Sequence, residues 1–122
     1  MFTRNTEKLE SFVGANSAFK GNIETKGTLR IDGKLEGNVQ ADWVILGEKS
    51  LVKGDITARG IIVGGSVDGN LRAKEIIEIK SKGRVTGDTV TTKLTISEGG
   101  IFDGRSTMAK DESKVLEFQT KI

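Results

Sequence analysis

An apolar residue, any residue, glycine, Asn or Asp, and a second apolar residue recur in that order along this chain at a nearly fixed interval. Four copies are complete: Phe19-Lys20-Gly21-Asn22-Ile23, Leu35-Glu36-Gly37-Asn38-Val39, Val52-Lys53-Gly54-Asp55-Ile56 and Val67-Asp68-Gly69-Asn70-Leu71. Val85-Thr86-Gly87-Asp88-Thr89 and Phe102-Asp103-Gly104-Arg105-Ser106 keep the glycine while their flanks decay. The six glycines lie 16, 17, 15, 18 and 17 residues apart. A short fixed period means one structural unit stacked on copies of itself. No other feature restricts the fold as much.

Between the glycine motifs lie apolar residues at alternate positions: Leu29/Ile31, Val44/Leu46, Ile61/Val63, Ile77/Ile79 and Leu94/Ile96. Period two places both side chains of a pair on one face of a strand. Each unit therefore reads as a strand ending at the glycine, a corner, a second strand, another corner, and the apolar pair. Three short strands in so few residues close a triangular coil, and stacked coils make a parallel β-helix. The fold class expected is all-β: a right-handed parallel β-helix of about six rungs with triangular cross-section and short flexible N- and C-terminal tails. At the usual strand spacing the rod would be roughly 30 Å long. Right-handed coiling is preferred because the hexapeptide rhythm of left-handed β-helices fails. Gly21, Gly27 and Gly33 sit six apart, but Gly37, Gly47 and Gly54 leave that rhythm at once.

Composition agrees. Sixteen glycines in 122 residues exceed the usual share of roughly 7%, and they fall at corners. Proline, which would break a strand ladder, is absent. Histidine and cysteine are also absent. That excludes His acid/base chemistry, thiol nucleophiles, disulfides and nearly every zinc site. Nineteen basic and 17 acidic residues are interspersed, for a net charge of +2, unlike the basic stripe of a nucleic-acid binder. No apolar run reaches membrane-spanning length, and residues 1–10 hold no signal-peptide core. The cysteine-free composition suits a reducing cytoplasm.

The chain divides into an N-terminal tail (1–11, a candidate membrane-targeting segment), a β-helix core (12–108) and a C-terminal tail (109–122), which is either mobile or a strand folding back. Along one flank the residues before the glycines alternate in charge, Lys20, Glu36, Lys53, Asp68, an arrangement that would pin the register. The Asn and Asp after each glycine read as turn residues, since both tolerate left-handed backbone and bond nearby main chain. Stacked parallel strands leave unpaired N–H and C=O groups at both ends, and neither end offers a cap. Ile96, Ile101 and Phe102 gather at one end; Phe12, Val13, Phe19, Ile23 and Leu29 lie near the other. Either they fill terminal core, or the rods join end to end. Met1, Phe2 and Arg4 form an apolar and basic start suited to weak membrane contact.

The repeat, the lack of catalytic residues and the Met-Phe-Thr-Arg start resemble the bactofilins, polymer-forming bacterial cytoskeletal proteins, over about Ser11 to Met108. The resemblance implies a right-handed β-helix that polymerises without nucleotide into non-polar filaments joined through like ends. Carried onto this chain, it makes Phe102, Ile101 and Ile96 one joint, Phe19, Ile23 and Leu29 the other, and Met1, Phe2 and Arg4 the membrane contact. It also implies a cytoplasmic protein, peripheral at the inner face of the membrane, that scaffolds cell shape or positions other proteins. Its partners are then itself, membrane lipid and cell-wall or morphogenesis proteins. Many members carry proline-rich tails, which this chain lacks.

The rival is a monomeric or small-oligomer β-helix binding module with no filament role. An enzyme is disfavoured by the missing histidine and by loops too short to build a cleft. Mixed charged stripes do not suit an ice-binding surface. Gly64-Gly65-Ser66-Val67-Asp68 lacks the central glycine of a calcium β-roll repeat, and no phosphate-binding G-x-x-x-x-G-K-[ST] loop occurs. The expectation is no cofactor, no metal, no nucleotide and no nucleic acid. Finally, if Val44/Leu46 and Ile61/Val63 point inward, Ile45 and Ile62 point outward near Trp43. That patch serves lateral bundling or partner docking, or the C-terminal tail covers it.

Overall fold

A computed structural model of the chain describes residues 11–108, which form fifteen strands. In the first coil are β1 (Ser11–Val13), β2 (Ala18–Lys20) and β3 (Ile23–Glu24); in the second, β4 (Thr28–Ile31), β5 (Lys34–Glu36) and β6 (Val39–Gln40). Next come β7 (Trp43–Leu46), β8 (Leu51–Lys53), β9 (Ile56–Val63), β10 (Ser66–Asp68) and β11 (Leu71–Ile79). β12 (Arg84–Thr86), β13 (Thr89–Ile96), β14 (Ile101–Asp103) and β15 (Ser106–Met108) complete the rod. All the pairings are parallel. β2, β5, β8, β10, β12 and β14 make one six-stranded face. The remaining strands share one larger sheet, because β9, β11 and β13 each pass through a corner and serve two faces. The register of β11 slips between Ala73 and Ile76 at that corner.

Ser11, Leu29, Val44, Ile61, Ile77 and Leu94 stack in register. The backbone thus completes five turns, and two more strands follow. The six rungs expected are five full turns and most of a sixth.

Alternation sets what lies inside. Leu29, Ile31, Val44, Ile61, Val63, Ile77 and Ile79 are 0% exposed, each contributing about 1.5–3 kcal/mol by leaving water. A second column, Leu35, Val52, Val67 and Val85, is buried beneath the six-stranded face. Ala41, Ala58 and Ala73 line one corner as small buried residues. Toward the C-terminus this chemistry changes while the geometry persists. Thr89 and Thr91 take positions held by Leu71 and Ala73 one coil earlier, remain fully buried, and the Thr89 hydroxyl has no protein partner.

The repeat motif has a division of labour. Gly21, Gly37, Gly54, Gly69, Gly87 and Gly104 have φ between +132° and +157°, and no other residue type among those described has positive φ. A Cβ on Gly54 would fall on the carbonyl oxygen of Gly37, and the same overlap recurs at each coil above the first. Glycine therefore takes the left-handed turn, correcting the expectation for Asn and Asp. Those residues build a ladder. The N–H of Asn38 donates to Asn22 Oδ1 (2.9 Å), Asp55 to Asn38 (3.1 Å), Asn70 to Asp55 (3.0 Å), Asp88 to Asn70 (3.1 Å) and Arg105 to Asp88 (3.2 Å). Register is pinned here rather than by alternating charge. Of the charged steps from Lys20 to Asp68, only Lys20–Glu36 pairs, at 3.9 Å and largely exposed.

Candidate assembly surfaces

Among the described residues, three strands at each end have a neighbour on one side only. At the C-terminal end these are β14, β15 and the second half of β13; at the N-terminal end, β1, β2 and β3. Such edges carry unpaired N–H and C=O groups that accept further strand contacts.

The C-terminal end is apolar. Ile96 stacks on Ile79 and is 43% exposed, and among the described residues no coil lies beyond it. Phe102 stacks on Val85, is partly buried and packs against the core. Leu94 is also partly buried there. Ile101 pairs with Arg84 on the outward side of its strand, so it borders the end from the flank rather than filling it. Met108, 51% exposed, occupies the position above Thr91. Met108 is not among the expected joint residues, yet period-two alternation carried on from Ser106 of the last glycine motif reaches it.

The N-terminal end differs from expectation at one residue. Phe19 is 40% exposed and Ile23 partly exposed, both on bare strands. Leu29 is 0% exposed, because β1 lies across it in register with Ser11. It belongs to the core, and Val13, partly buried above Ile31, takes the terminal place. The inward column of the six-stranded face thus begins with Phe19 and ends with Phe102, with smaller aliphatic residues between. The largest side chains close the two openings. Met1, Phe2 and Arg4 lie outside the described residues, as do residues 109–122.

On the rod's side, Ile45 and Ile62 stack in register and point outward, between Arg30 and Glu78 on the flanking coils. Trp43 lies flat over Gly60, where a Cβ would collide with the indole. The Arg59 guanidinium stands 6.0 Å from the ring centroid, held by Asp42 at 2.9 Å and Glu75 at 3.6 Å. Grooves elsewhere are shallow and open. Among the described residues no three acidic side chains converge as metal ligands, and no helix is long and apolar enough to cross a membrane.

A family model described as "Bactofilin: Polymer-forming cytoskeletal" matches residues 11–107. The chain is similar to Bactofilin BacP of Myxococcus xanthus, 31% identical over 101 residues that cover 82% of this chain and 42% of that protein. It is also similar to Bactofilin BacO of the same organism, 28% identical over 110 residues covering 89% of this chain and 87% of that one. The chain thus spans less than half of the first relative and most of the second. Its fold matches a Thermus thermophilus bactofilin reconstructed by cryo-EM as double helical filaments. The TM-score is 0.69 at 22% identity, covering 81% of this chain and 99% of the other.

Proposed function

The chain belongs to the bactofilin family, and from that premise we propose that it assembles end to end, without nucleotide, into non-polar filaments that scaffold a membrane surface. Bactofilins are structural cytoskeletal proteins rather than enzymes. The observation that carries the reading is the C-terminal rung of the described residues, where exposed Ile96 and Met108 flank Phe102 on strands that lack a neighbour on their outer side. Apolar burial and strand contact complete such an end without a bound ligand. The similar Thermus thermophilus protein forms double helical filaments, which favours the same behaviour here.

Arg105 favours joints between like ends. Each ladder side chain accepts the next coil's N–H, but a guanidinium has no acceptor. A second copy stacked head to tail would set the N–H of its Asn22 against Arg105. Contacts between like ends avoid that mismatch and are isologous.

Purified protein free of nucleotide is expected to form filaments visible by negative-stain electron microscopy; only dispersed particles across salt and concentration would refute the proposal. For membrane contact, Met1, Phe2 and Arg4 supply a short apolar and basic segment whose weak individual affinity is multiplied along a polymer by avidity. Wild-type filaments should co-sediment with vesicles containing anionic lipid, and removal of residues 1–4 should abolish co-sedimentation while filaments persist. Equal co-sedimentation by both proteins would remove this segment from the account. A cytoplasmic location at the inner membrane face, and a role in cell shape or in positioning cell-wall or morphogenesis proteins, follow from the same reading.

A further inference from the structure

Two neighbouring columns on the larger sheet share one symmetry. On the second to fifth coils the first column reads Arg30, Ile45, Ile62, Glu78. The second reads Asp32, Gly47, Gly64, Lys80, its register fixed by successive N–H donations to the carbonyls of Val13, Ile31, Leu46 and Val63 at 2.7–2.9 Å. About the midpoint between the third and fourth coils, each column has a neutral pair at its centre and opposite charges at its ends. The columns carry those charges in opposite order.

We propose that this face is a self-complementary contact on which a second copy of the chain docks, rod against rod and antiparallel. A dyad along the strand direction, through that midpoint, sets Arg30 on the second copy's Glu78 and Asp32 on its Lys80. The same operation brings Ile45 onto Ile62; beside them the Asp32 carboxylate lies over Gly47, and Gly64 is buried. A parallel pair, about an axis along the rod between the two columns, would also match charges, Arg30 with Asp32 and Glu78 with Lys80, but it would lay Ile45 over Gly47, where the Asp32 carboxylate sits. Apolar contact of Ile45 with Ile62 therefore selects the antiparallel arrangement, and the charges fix its register.

The charged groups are already aligned for this. Arg30 holds Asp32 through two bonds of 2.9 and 3.1 Å, and Lys80 stands 2.9 Å from Glu78. Docking joins two such pairs into a four-charge cluster at each end of the contact, so few side chains lose freedom when the copies meet. Ile45 and Ile62 are only partly exposed, and they sit on a shallow groove that also includes Arg30, Gly47, Gly64 and Lys80. The contact is separate from the rod ends and does not depend on end-to-end assembly.

Zero-length carbodiimide cross-linking of the full chain, mixed from isotope-labelled and unlabelled protein, tests the proposal. Within one chain Asp32 and Lys80 lie three coils apart, about 14 Å at the usual strand spacing, beyond the reagent's reach. A mixed-label Asp32–Lys80 peptide is expected. Its yield should fall at least tenfold in Arg30→Glu and recover in Arg30→Glu/Glu78→Arg, with circular dichroism unchanged. The same link should persist in Ile96→Arg protein that no longer forms filaments, so failure at the rod ends is distinguishable from failure here. Absence of the link from wild-type protein, or indifference of its yield to the single reversal, would overturn the pairing, as would no recovery in the double variant.

Discussion

Valine at Gly54 is expected to prevent the rod from folding. The backbone there has φ +144°, a conformation that L-residues rarely adopt, and the new Cβ falls on the Gly37 carbonyl oxygen. Neither side can yield cheaply. Gly37 donates to the Lys53 carbonyl at 2.9 Å and Gly54 to that of Asp68 at 3.0 Å, so a shift in one coil would strain its neighbours. Backbone strain of about 1–3 kcal/mol then adds to a steric overlap in the middle of the stack. The total exceeds about 4–5 kcal/mol, the range of exceptional single substitutions, against a whole-domain stability of about 5–15 kcal/mol. Loss of the β-sheet circular dichroism signal, or a collapsed urea midpoint, is the expected reading. Gly21→Ala is the control. Its φ is also positive, but among the described residues no coil lies beneath it and a Cβ meets the Phe19 ring at 3.6 Å. That variant should stay folded and lose only the strain contribution. Equal damage at both positions would show that contact between coils is not the cause.

Arginine at Ile96 is expected to leave a folded rod that no longer polymerises. Ile96 is 43% exposed in the single chain, so a charge there is tolerated until a second end covers it. Covering an unpaired charge costs about 3–5 kcal/mol, which is roughly a hundred- to several-thousand-fold in association. Pelleting should fall accordingly while the circular dichroism spectrum and urea midpoint stay near wild type. Phe102→Arg should also stop assembly, but Phe102 packs against the core beside Val85, so some stability should be lost with it. Wild-type filaments from both variants would place the joint elsewhere.

The coil was legible because its two devices are chemically specific. A left-handed corner demands glycine, and an inward position demands an aliphatic residue, so both leave a period in the sequence. The bare ends were less legible. β1 holds Ser11-Phe12-Val13 without the glycine motif, so nothing in the sequence marks that this strand covers Leu29, although Val13 is among the apolar residues expected near that end. At the other end Thr89 and Thr91 stand where the pattern calls for apolar residues, yet they are fully buried; hydrophobicity faded before the geometry did. Trp43 was recognised as lying near an outward patch, but its seat was not, because that seat is the missing side chain of Gly60. The Asn and Asp ladder was visible as composition only. Which backbone group each oxygen meets depends on the coil above, fifteen to eighteen residues away in sequence.

That ladder has a direction. Every receiving oxygen belongs to an earlier part of the chain, and every hydrogen it receives belongs to a later part. A polypeptide emerging from the ribosome, amino terminus first, therefore winds each fresh loop onto one whose acceptor is already waiting. Construction can follow synthesis from the first loop onward.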